Sequence, residues 1–300
     1  MAENSGFKSG FAGIIGAPNA GKSTLVNVIV GEKVAIVTDK PQTTRRRILG
    51  IKTLPTAQLI LVDTPGIHRS DKILNVLMVK SAFKTIKESD IIIHIVDVKN
   101  IKSTENSWIE AEIRRNKKNT PVFLVINKID LINKNILLPI IDEFSKKEIY
   151  DEIIPVSALK NDGVNELVDL LIKYLPEGEK LYPDDIRTDQ TERVIVAEII
   201  REKLFNVLKE ELPYSIDILI DDFDESNEEL IKIYANIFVE KESQKAIVIG
   251  AGGKMLKFVG QQAREEIEKL FGCRIFLQLW VKVKKNWTRD KQILRNLGYL

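Results

Sequence analysis

Between Gly16 and Ser23 the chain reads Gly-Ala-Pro-Asn-Ala-Gly-Lys-Ser, with an apolar run from Phe11 directly before it and the stretch Lys22 to Val30 directly after it. Strand, glycine-bracketed turn and helix in that order commit the segment to a βα unit, and such units close their cores by adding further parallel strands. The spacing G-x-x-x-x-G-K-[ST] also gives the turn a task. Backbone N–H groups curl around phosphate oxygens at the positive end of a helix, Lys22 reaches the β and γ oxygens, and Ser23 ligates magnesium. Gly16, Ala17, Pro18, Asn19, Ala20, Gly21, Lys22, Ser23 and Thr24 are therefore the phosphate-side candidates.

The pattern through residue 175 agrees with that commitment. Short apolar runs fall at 11–16, 48–53, 58–63, 90–97, 121–127 and 152–156, and amphipathic stretches at 22–30, 73–88, 104–116, 136–150 and 164–174. This alternation predicts a mostly parallel sheet covered by helices, with ligands at the carboxyl edge of the strands. Leu175-Pro-Glu-Gly-Glu and Tyr182-Pro-Asp-Asp then break both periodicities, so the first domain is expected over 1–175 and a linker over 176–190.

Further sequence blocks fall at strand ends. Asp63-Thr64-Pro65-Gly66 follows the run Leu59 to Val62, where an aspartate holds magnesium, usually through water, and a glycine N–H can approach a γ-phosphate. Pro41-Gln-Thr43-Thr44-Arg45 lies in a polar stretch, and a threonine there completes the metal shell; Thr44 is the candidate over Thr43. Lys22, Thr44, Gly66 and Asn19 are the catalytic candidates, and Ser23, Thr44 and Asp63 the metal set. Arg45-Arg-Arg47 reads as a solvated basic face, with an arginine finger or an RNA contact as the other options.

Asn127-Lys128-Ile-Asp130 follows the apolar run Val122 to Ile126 and identifies the base. The Asp130 carboxylate accepts from the ring N–H and the exocyclic amine of guanine, a donor pair that adenine lacks, and a buried acceptor left without donors costs about 1–3 kcal/mol or more. Asn127 is expected to tie this loop to the phosphate loop, and the stem of Lys128 to cover the purine face. Ser157-Ala158-Leu159, after Ile153-Ile-Pro-Val, offers the Ala158 N–H to the guanine O6.

A second domain, closing in a basic C-terminal tail, is expected over 191–300. Helix 194–208, strand 215–220, an acidic turn, strand 230–239 and a short helix lead to Gly250-Ala251-Gly252-Gly253, then a helix 254–270 and a strand in which Ile275, Leu277, Leu279, Val281 and Val283 alternate with Phe276, Gln278, Trp280 and Lys282. A G-x-x-G turn between two helices clamps a nucleic-acid backbone in KH domains. Gly250, Ala251, Gly252, Gly253, Lys254, Lys257, Lys282, Lys284 and Lys285 are the RNA-binding candidates. Trp280 either stacks a base or belongs to the core.

Charge supports a division of labour. The whole chain carries +2, but from Lys241 onward there are 13 Lys and Arg against 5 Asp and Glu, a balance of +8 that leaves −6 on residues 1–240. A basic end suits an anionic partner such as RNA or a membrane surface. One cysteine, Cys273, excludes an internal disulfide framework, and two histidines without a cysteine cluster exclude a Cys/His zinc site. The N-terminus has no apolar core of a signal peptide, so a cytoplasmic location is expected.

Together these residues resemble the Era family of bacterial GTPases with a C-terminal KH domain. The resemblance spans nearly the whole chain and includes Glu211-Leu-Pro-Tyr-Ser215, Ser243-Gln-Lys-Ala246 running into Gly250, and Trp280-Val-Lys-Val-Lys-Lys-Asn-Trp287. The guanine-reading blocks recur in many GTPases, whereas the KH segment and the end of the chain are specific. The implied fold class is α/β, a P-loop GTPase (Ras-like) domain with a mostly parallel sheet, followed by a smaller α+β type II KH domain. The implied activity is hydrolysis of GTP to GDP and phosphate. Implied partners are 16S ribosomal RNA near its 3′ end and the 30S subunit in assembly, with peripheral contact to the inner membrane, for a protein expected to be a monomer. The alternative kept beside this is a GTP-regulated membrane- or protein-docking module.

Two positions bear on mechanism. Ile67 stands where Ras-like enzymes place a water-orienting glutamine, which predicts slow intrinsic hydrolysis raised by a partner. Asn19 stands where related GTPases hold potassium, so K+ joins GTP/GDP and Mg2+ as an expected cofactor. His68 is expected as an exposed switch histidine and not a base.

Overall fold

The computed structural model describes residues 6–69, 72–227 and 229–299, which divide into two compact units, the first ending at Asp189 and the second taking the rest of the chain together with Lys72–Leu74. In the first, β1 (Lys8–Ile15), α1 (Lys22–Val30), β2 (Ile48–Thr53), β3 (Ala57–Asp63), α2 (Ile73–Glu88), β4 (Ile91–Asp97), α3 (Thr104–Asn116), β5 (Val122–Asn127), α4 (Leu137–Ser145), β6 (Glu152–Pro155) and α5 (Val164–Tyr174) follow in chain order. The sheet runs β2-β3-β1-β4-β5-β6, and only β2 is antiparallel to its neighbour. Every residue of β3 and β5 is buried, as expected of strands covered on both faces. One face packs on Leu25, Val26, Leu167 and Leu171, the other on Ala82, Ile86, Ile109 and Ile113. β1 lies between β3 and β4, so the chain order reverses beside it and the turn at Gly16 opens at that crevice.

Three expectations change here. β1 begins at Lys8 because Ser9 N–H donates to the Pro176 carbonyl and Gly178 N–H to Phe7, at 3.1 and 2.9 Å. The segment read as a linker is thus held along the first unit. Gln58 Oε1 accepts from the N–H groups of Leu181 and Tyr182, and Ile51 N–H donates to Arg187. Finally, the helix expected to run to Tyr150 stops at Ser145, and Glu148 takes a positive φ of 52° in the turn that follows.

The second unit comprises α6 (Glu192–Val207), β7 (Asp217–Asp224), β8 (Leu230–Val239), α7 (Glu242–Ile249), α8 (Lys254–Phe271), β9 (Arg274–Val283) and α9 (Lys291–Asn296). Its sheet runs β7-β8-β9, antiparallel then parallel. Helices α6 and α8 cover one face, joining Val196, Ile200, Val259 and Ala263 to Ile218, Ile237 and Ile275 in one core. The acidic turn expected after Ile220 is instead strand up to Asp224, accommodated by a register shift between Ile220 and Asp222. The basic end is likewise folded and not a tail: Trp287 is fully buried with its indole N–H on the Ser215 carbonyl at 3.0 Å, and Tyr299 donates to Asp217 at 2.6 Å.

Candidate nucleotide site and nucleic-acid loop

At the carboxyl edge of β1 and β5 a cleft of about 340 Å³ is lined by Pro18, Asn19, Gly21, Lys22, Ser23 and Thr24 on one side and by Asn127, Lys128, Asp130, Ala158 and Leu159 on the other. The turn folds onto itself through Lys22, whose ammonium donates to the carbonyls of Gly16 and Ala17 at 3.1 and 2.9 Å. Gly21 stands at φ 98°, and a Cβ there would collide with the Asn127 amide. That amide is the tie anticipated between the two loops: Asn127 Nδ2 donates to the Ala20 carbonyl at 2.8 Å.

Three oxygens converge behind the phosphate loop. Ser23 Oγ lies 2.6 Å from Asp63 Oδ2 and 2.8 Å from Thr44 Oγ1, which itself lies 3.3 Å from the same carboxylate oxygen. Thr44 and not Thr43 reaches this group, because the Thr43 hydroxyl is taken by Thr38 and the Lys40 carbonyl. The other carboxylate oxygen, Asp63 Oδ1, is buried without a hydrogen-bond partner. A buried carboxylate beside two hydroxyls is a donor set that fits a hard, oxygen-seeking cation such as magnesium. Burial pushes the Asp63 carboxyl up to about 6, against the Ser23 hydrogen bond and the Lys22 charge. It lowers the Lys22 ammonium to about 8, with the Asp63 charge opposing. A bound cation would favour the ionised carboxylate.

Thr64 and Pro65 lie outside the cleft; the Thr64 hydroxyl donates to the Ile14 carbonyl at 2.6 Å and so anchors the turn to β1. Gly66 does line it, and a Cβ at that position would stand 2.8 Å from Pro18 Cα, so only glycine lets this turn approach the phosphate loop. Ile67 is fully buried among Ile15, Ala82 and Ile86. His68, expected to be exposed, is half-buried with Nδ1 3.1 Å from the Gly66 carbonyl. Arg45 to Arg47 do not form the solvated face expected of them: Arg45 is buried and Arg47 pairs with Glu88 at 2.6 Å. Asn19 adopts φ 60° and donates through Nδ2 to the Asp39 carbonyl at 3.1 Å.

On the base side the Ser157 hydroxyl donates to Asp130 Oδ1 at 2.6 Å and orients the carboxylate. The Ala158 N–H, expected to point to a guanine O6, donates to Asn127 Oδ1 at 3.0 Å, so serving the base requires sharing or exchanging that bond. Lys128 is held at φ 66° with its ammonium 2.8 Å from Asp97. Asp97 escaped the sequence reading, although it ends an apolar strand and pairs in register with Asn127. In the second unit Gly250, Gly252 and Gly253 all have positive φ, and Cβ atoms built on the last two meet nothing within 4 Å. Ala251, Lys254, Lys257, Lys282, Lys284 and Lys285 are exposed around or beyond that loop.

Residues 11–128 match the protein family described as 50S ribosome-binding GTPase, and residues 211–288 match the KH domain family. GTPase Era of Syntrophus aciditrophicus (strain SB) is 51% identical over 294 residues, 98% of this chain and 95% of its own. The chain belongs to the Era family of GTPases. GTPase Era of Geobacter metallireducens matches it from end to end at 47% identity. Among solved structures, Era in complex with MgGDPNP and nucleotides 1506–1542 of 16S ribosomal RNA is 41% identical, with a TM-score of 0.93 over 98% of this chain and 99% of that one. An Aquifex aeolicus Era variant bound to GDP and aluminium fluoride is 40% identical, also with a TM-score of 0.93 over 98% and 99%. Membership makes the cleft that of a GTP-hydrolysing enzyme and the second unit a KH domain. The P-loop GTPase fold with a mostly parallel sheet is the one expected from the sequence.

Proposed function

We propose that the chain is a GTP-dependent switch that binds the 3′ region of 16S ribosomal RNA through its KH domain and acts in assembly of the 30S subunit. The observation that carries the RNA half is the bare backbone at Gly252 and Gly253, with open space where side chains would stand, at the head of α8 and its exposed Lys254 and Lys257. Gly250 to Gly253 would approach the sugar-phosphate backbone, and Lys254, Lys257, Lys282, Lys284 and Lys285 would neutralise phosphates. The relative solved with a 16S segment supports the choice of RNA.

At the other site Ser23, Thr44 and Asp63 would hold magnesium, which when bound neutralises charge building on the β and γ oxygens. Lys22 would exchange its carbonyl partners for phosphate oxygens, Gly66 would offer its N–H to the γ-phosphate, and Asp130 would read guanine with Ser157 fixing its angle. Asn19, with its Nδ2 engaged by Asp39, would turn Oδ1 to a potassium ion. Turnover faster in potassium than in sodium, with the difference lost in Asn19→Ala, is the expected result; equal rates would remove potassium from the scheme.

Hydrolysis would commit or release the RNA, and by linkage RNA changes GTP affinity by the same factor as GTP changes RNA affinity. The protein would act as a monomer. No helix among the described residues is long and apolar enough to cross a membrane, so the peripheral membrane contact of the alternative reading would rest on exposed basic side chains. Gly252→Asp separates these readings, since aspartate is among the few side chains that tolerate φ 60°, nothing stands within 4 Å of its Cβ, and the change adds a charge beside the phosphate path. Binding of an oligoribonucleotide equivalent to the 1506–1542 segment should fall at least ~10-fold with GTP binding unchanged. Retained RNA affinity would reject the KH loop as the RNA clamp.

A further inference from the structure

The face of the KH sheet turned away from α6 and α8 carries both aromatic and basic side chains. Ile233, Ala235 and Ile237 of β8 and Ile275 and Val281 of β9 point to the helices, so Lys232 and Tyr234 of β8 and Arg274, Phe276, Trp280 and Lys282 of β9 point outward. Tyr234 and Trp280 lie nearly parallel, with ring centroids 5.8 Å apart and planes at 14°, and Phe276 meets Tyr234 edge-on at 5.9 Å. Phe276 and Trp280 remain 45% and 39% exposed, so these rings are a surface and not a closed cluster.

Charge on this face is divided by strand. The edge strand β9 carries no carboxylate from Arg274 to Val283, and Lys284, just past its end, sets its ammonium 5.4 Å from the Phe238 ring. The carboxylates stand on β7, where Asp224 is paired with Lys232 at 3.5 Å and the exposed Asp222 lies opposite Tyr234. Two strand spacings, roughly 10 Å, separate β7 from β9, about one Debye length at ordinary ionic strength, so Asp222 is largely screened from a ligand lying along β9. Where β9 begins, the strip opens into a hollow of about 690 Å³ bordered by Phe276, Arg264, Lys269 and Arg274. Its carboxylate, Glu268, is engaged: it accepts the Ile275 N–H at 3.1 Å and lies 4.0 Å from Arg264.

We infer that this strip, from the hollow to Trp280, is a second site for single-stranded RNA, on the opposite face of the sheet from the G-x-x-G loop. Unpaired bases stack on Phe276, Tyr234 and Trp280 while phosphates pass Arg274 and Lys282, the combination of aromatic platform and flanking cations that holds an unpaired strand. A duplex keeps its base faces inside and has none to offer the rings. An acidic peptide would meet the cations but bring no planar faces. The loop joins α7 to α8, and Val248 and Val259 of those helices lie in the core on the other side. With 18 residues, α8 sets the loop about 27 Å from the hollow at its far end. A G-x-x-G loop engages about four nucleotides, so an RNA held at both sites is longer than that. The choice of RNA as ligand rests on the proposed function, whereas the position of the site does not.

The test uses the full chain carrying Gly252→Asp, which disables the loop, and titrates it with a short oligouridylate and with an abasic ribose-phosphate oligomer of the same length, by calorimetry and tryptophan fluorescence. Trp287 is fully buried and Trp108 packs on Phe83, so quenching by a stacked base reports Trp280. Oligouridylate is expected to quench, and to bind ~10-fold or more tightly than the abasic oligomer. By calorimetry, Trp280→Leu should bring the two oligomers to equal affinity, and Arg274→Gln, an exposed change, should weaken both several-fold. Absence of quenching, or equal affinity for the two oligomers before Trp280 is changed, overturns the proposal. Quenching by a glycine–arginine peptide but not by oligouridylate overturns it in favour of a protein-docking face. Failure of the loop as the RNA clamp has a different readout, retained affinity of the Gly252→Asp chain for the 1506–1542 segment.

Discussion

The Lys128 ammonium stands 2.8 Å from Asp97 Oδ2, and Asp97 Oδ1 accepts the Lys99 N–H at 2.9 Å, so the lysine proposed to cover the purine face is pinned from the end of the neighbouring strand. The pair is only partly buried, with side-chain exposures of 32% and 15%, so its contribution is discounted for solvent. Asp97→Ala is expected to weaken GTP and GDP binding alike by about 3- to 10-fold, around 1 kcal/mol, with little change in turnover at saturating GTP. A fluorescent-nucleotide titration measures this; unchanged affinity would mean that Lys128 keeps its place without Asp97.

In the proposed scheme base selection rests on the Asp130 carboxylate, whose orientation the Ser157 hydroxyl fixes. In Asp130→Asn the amide can turn a donor toward position 2 of the purine, where guanine has an amine and xanthine a carbonyl. GTP affinity should fall by ~100-fold or more and xanthosine triphosphate should become the better ligand. Competition between the two triphosphates decides it, and a variant still preferring GTP would show that Asp130 does not read the amine. Ser157→Ala, which leaves the carboxylate present but unsteadied, should cost GTP affinity about 1 kcal/mol.

Acid stability should depend on His94. Its imidazole is fully buried on β4, 2.9 Å from the Tyr150 hydroxyl, and burial lowers it to about 3; the Asn106 amide opposes that shift, while Lys147 and Lys22 add to it. Glu110 faces the same network from α3 through Tyr150. The folded protein keeps this ring neutral, and the unfolded chain protonates it near pH 6.5. Its contribution is therefore complete above about pH 6.5 and is lost as the pH falls toward about 3. Between pH 7.5 and 5.5 the loss is about 1.4 kcal/mol. His94→Gln should flatten the urea stability profile by that amount, and comparing wild type with the variant cancels Asp63, whose carboxyl titrates in the same window. Parallel profiles would mean that His94 takes its proton while the protein stays folded.

The parts legible in the sequence were those fixed by local rules. The Gly16 to Ser23 turn, the strand ends at Asp63 and Asn127 and the alternation in β9 rest on spacing that a reader can count. The parts that escaped depend on tertiary partners. Asp97 matters only because β4 and β5 are neighbours, and Gln58 only because it clamps a segment more than a hundred residues away. Asp221 to Asp224 looked like a turn because three aspartates and no apolar alternation disfavour strand, yet pairing with β8 overrode that preference. Trp287 sat in a lysine-rich stretch and is nonetheless fully buried, held by a carbonyl from before β7.

Ile67 joins sequence and structure most tightly, because the residue expected to explain slow hydrolysis is turned away from the chemistry altogether. Its side chain lies among Ile15, Ala82 and Ile86, while its N–H donates to the Gly16 carbonyl at 3.1 Å and fixes the turn against the phosphate loop. Supplying the missing amide by Ile67→Gln therefore should not create a water-orienting group. A glutamine following the isoleucine path would bury an amide among hydrocarbon, destabilising the fold by about 2–4 kcal/mol. The expected result is a lower urea midpoint at an unchanged denaturant slope, with single-turnover hydrolysis no faster than wild type. A variant that hydrolyses GTP faster at undiminished stability would mean that the turn after Gly66 rearranges freely enough to bring this side chain to the γ-phosphate, and slow turnover would then be traceable to the isoleucine itself.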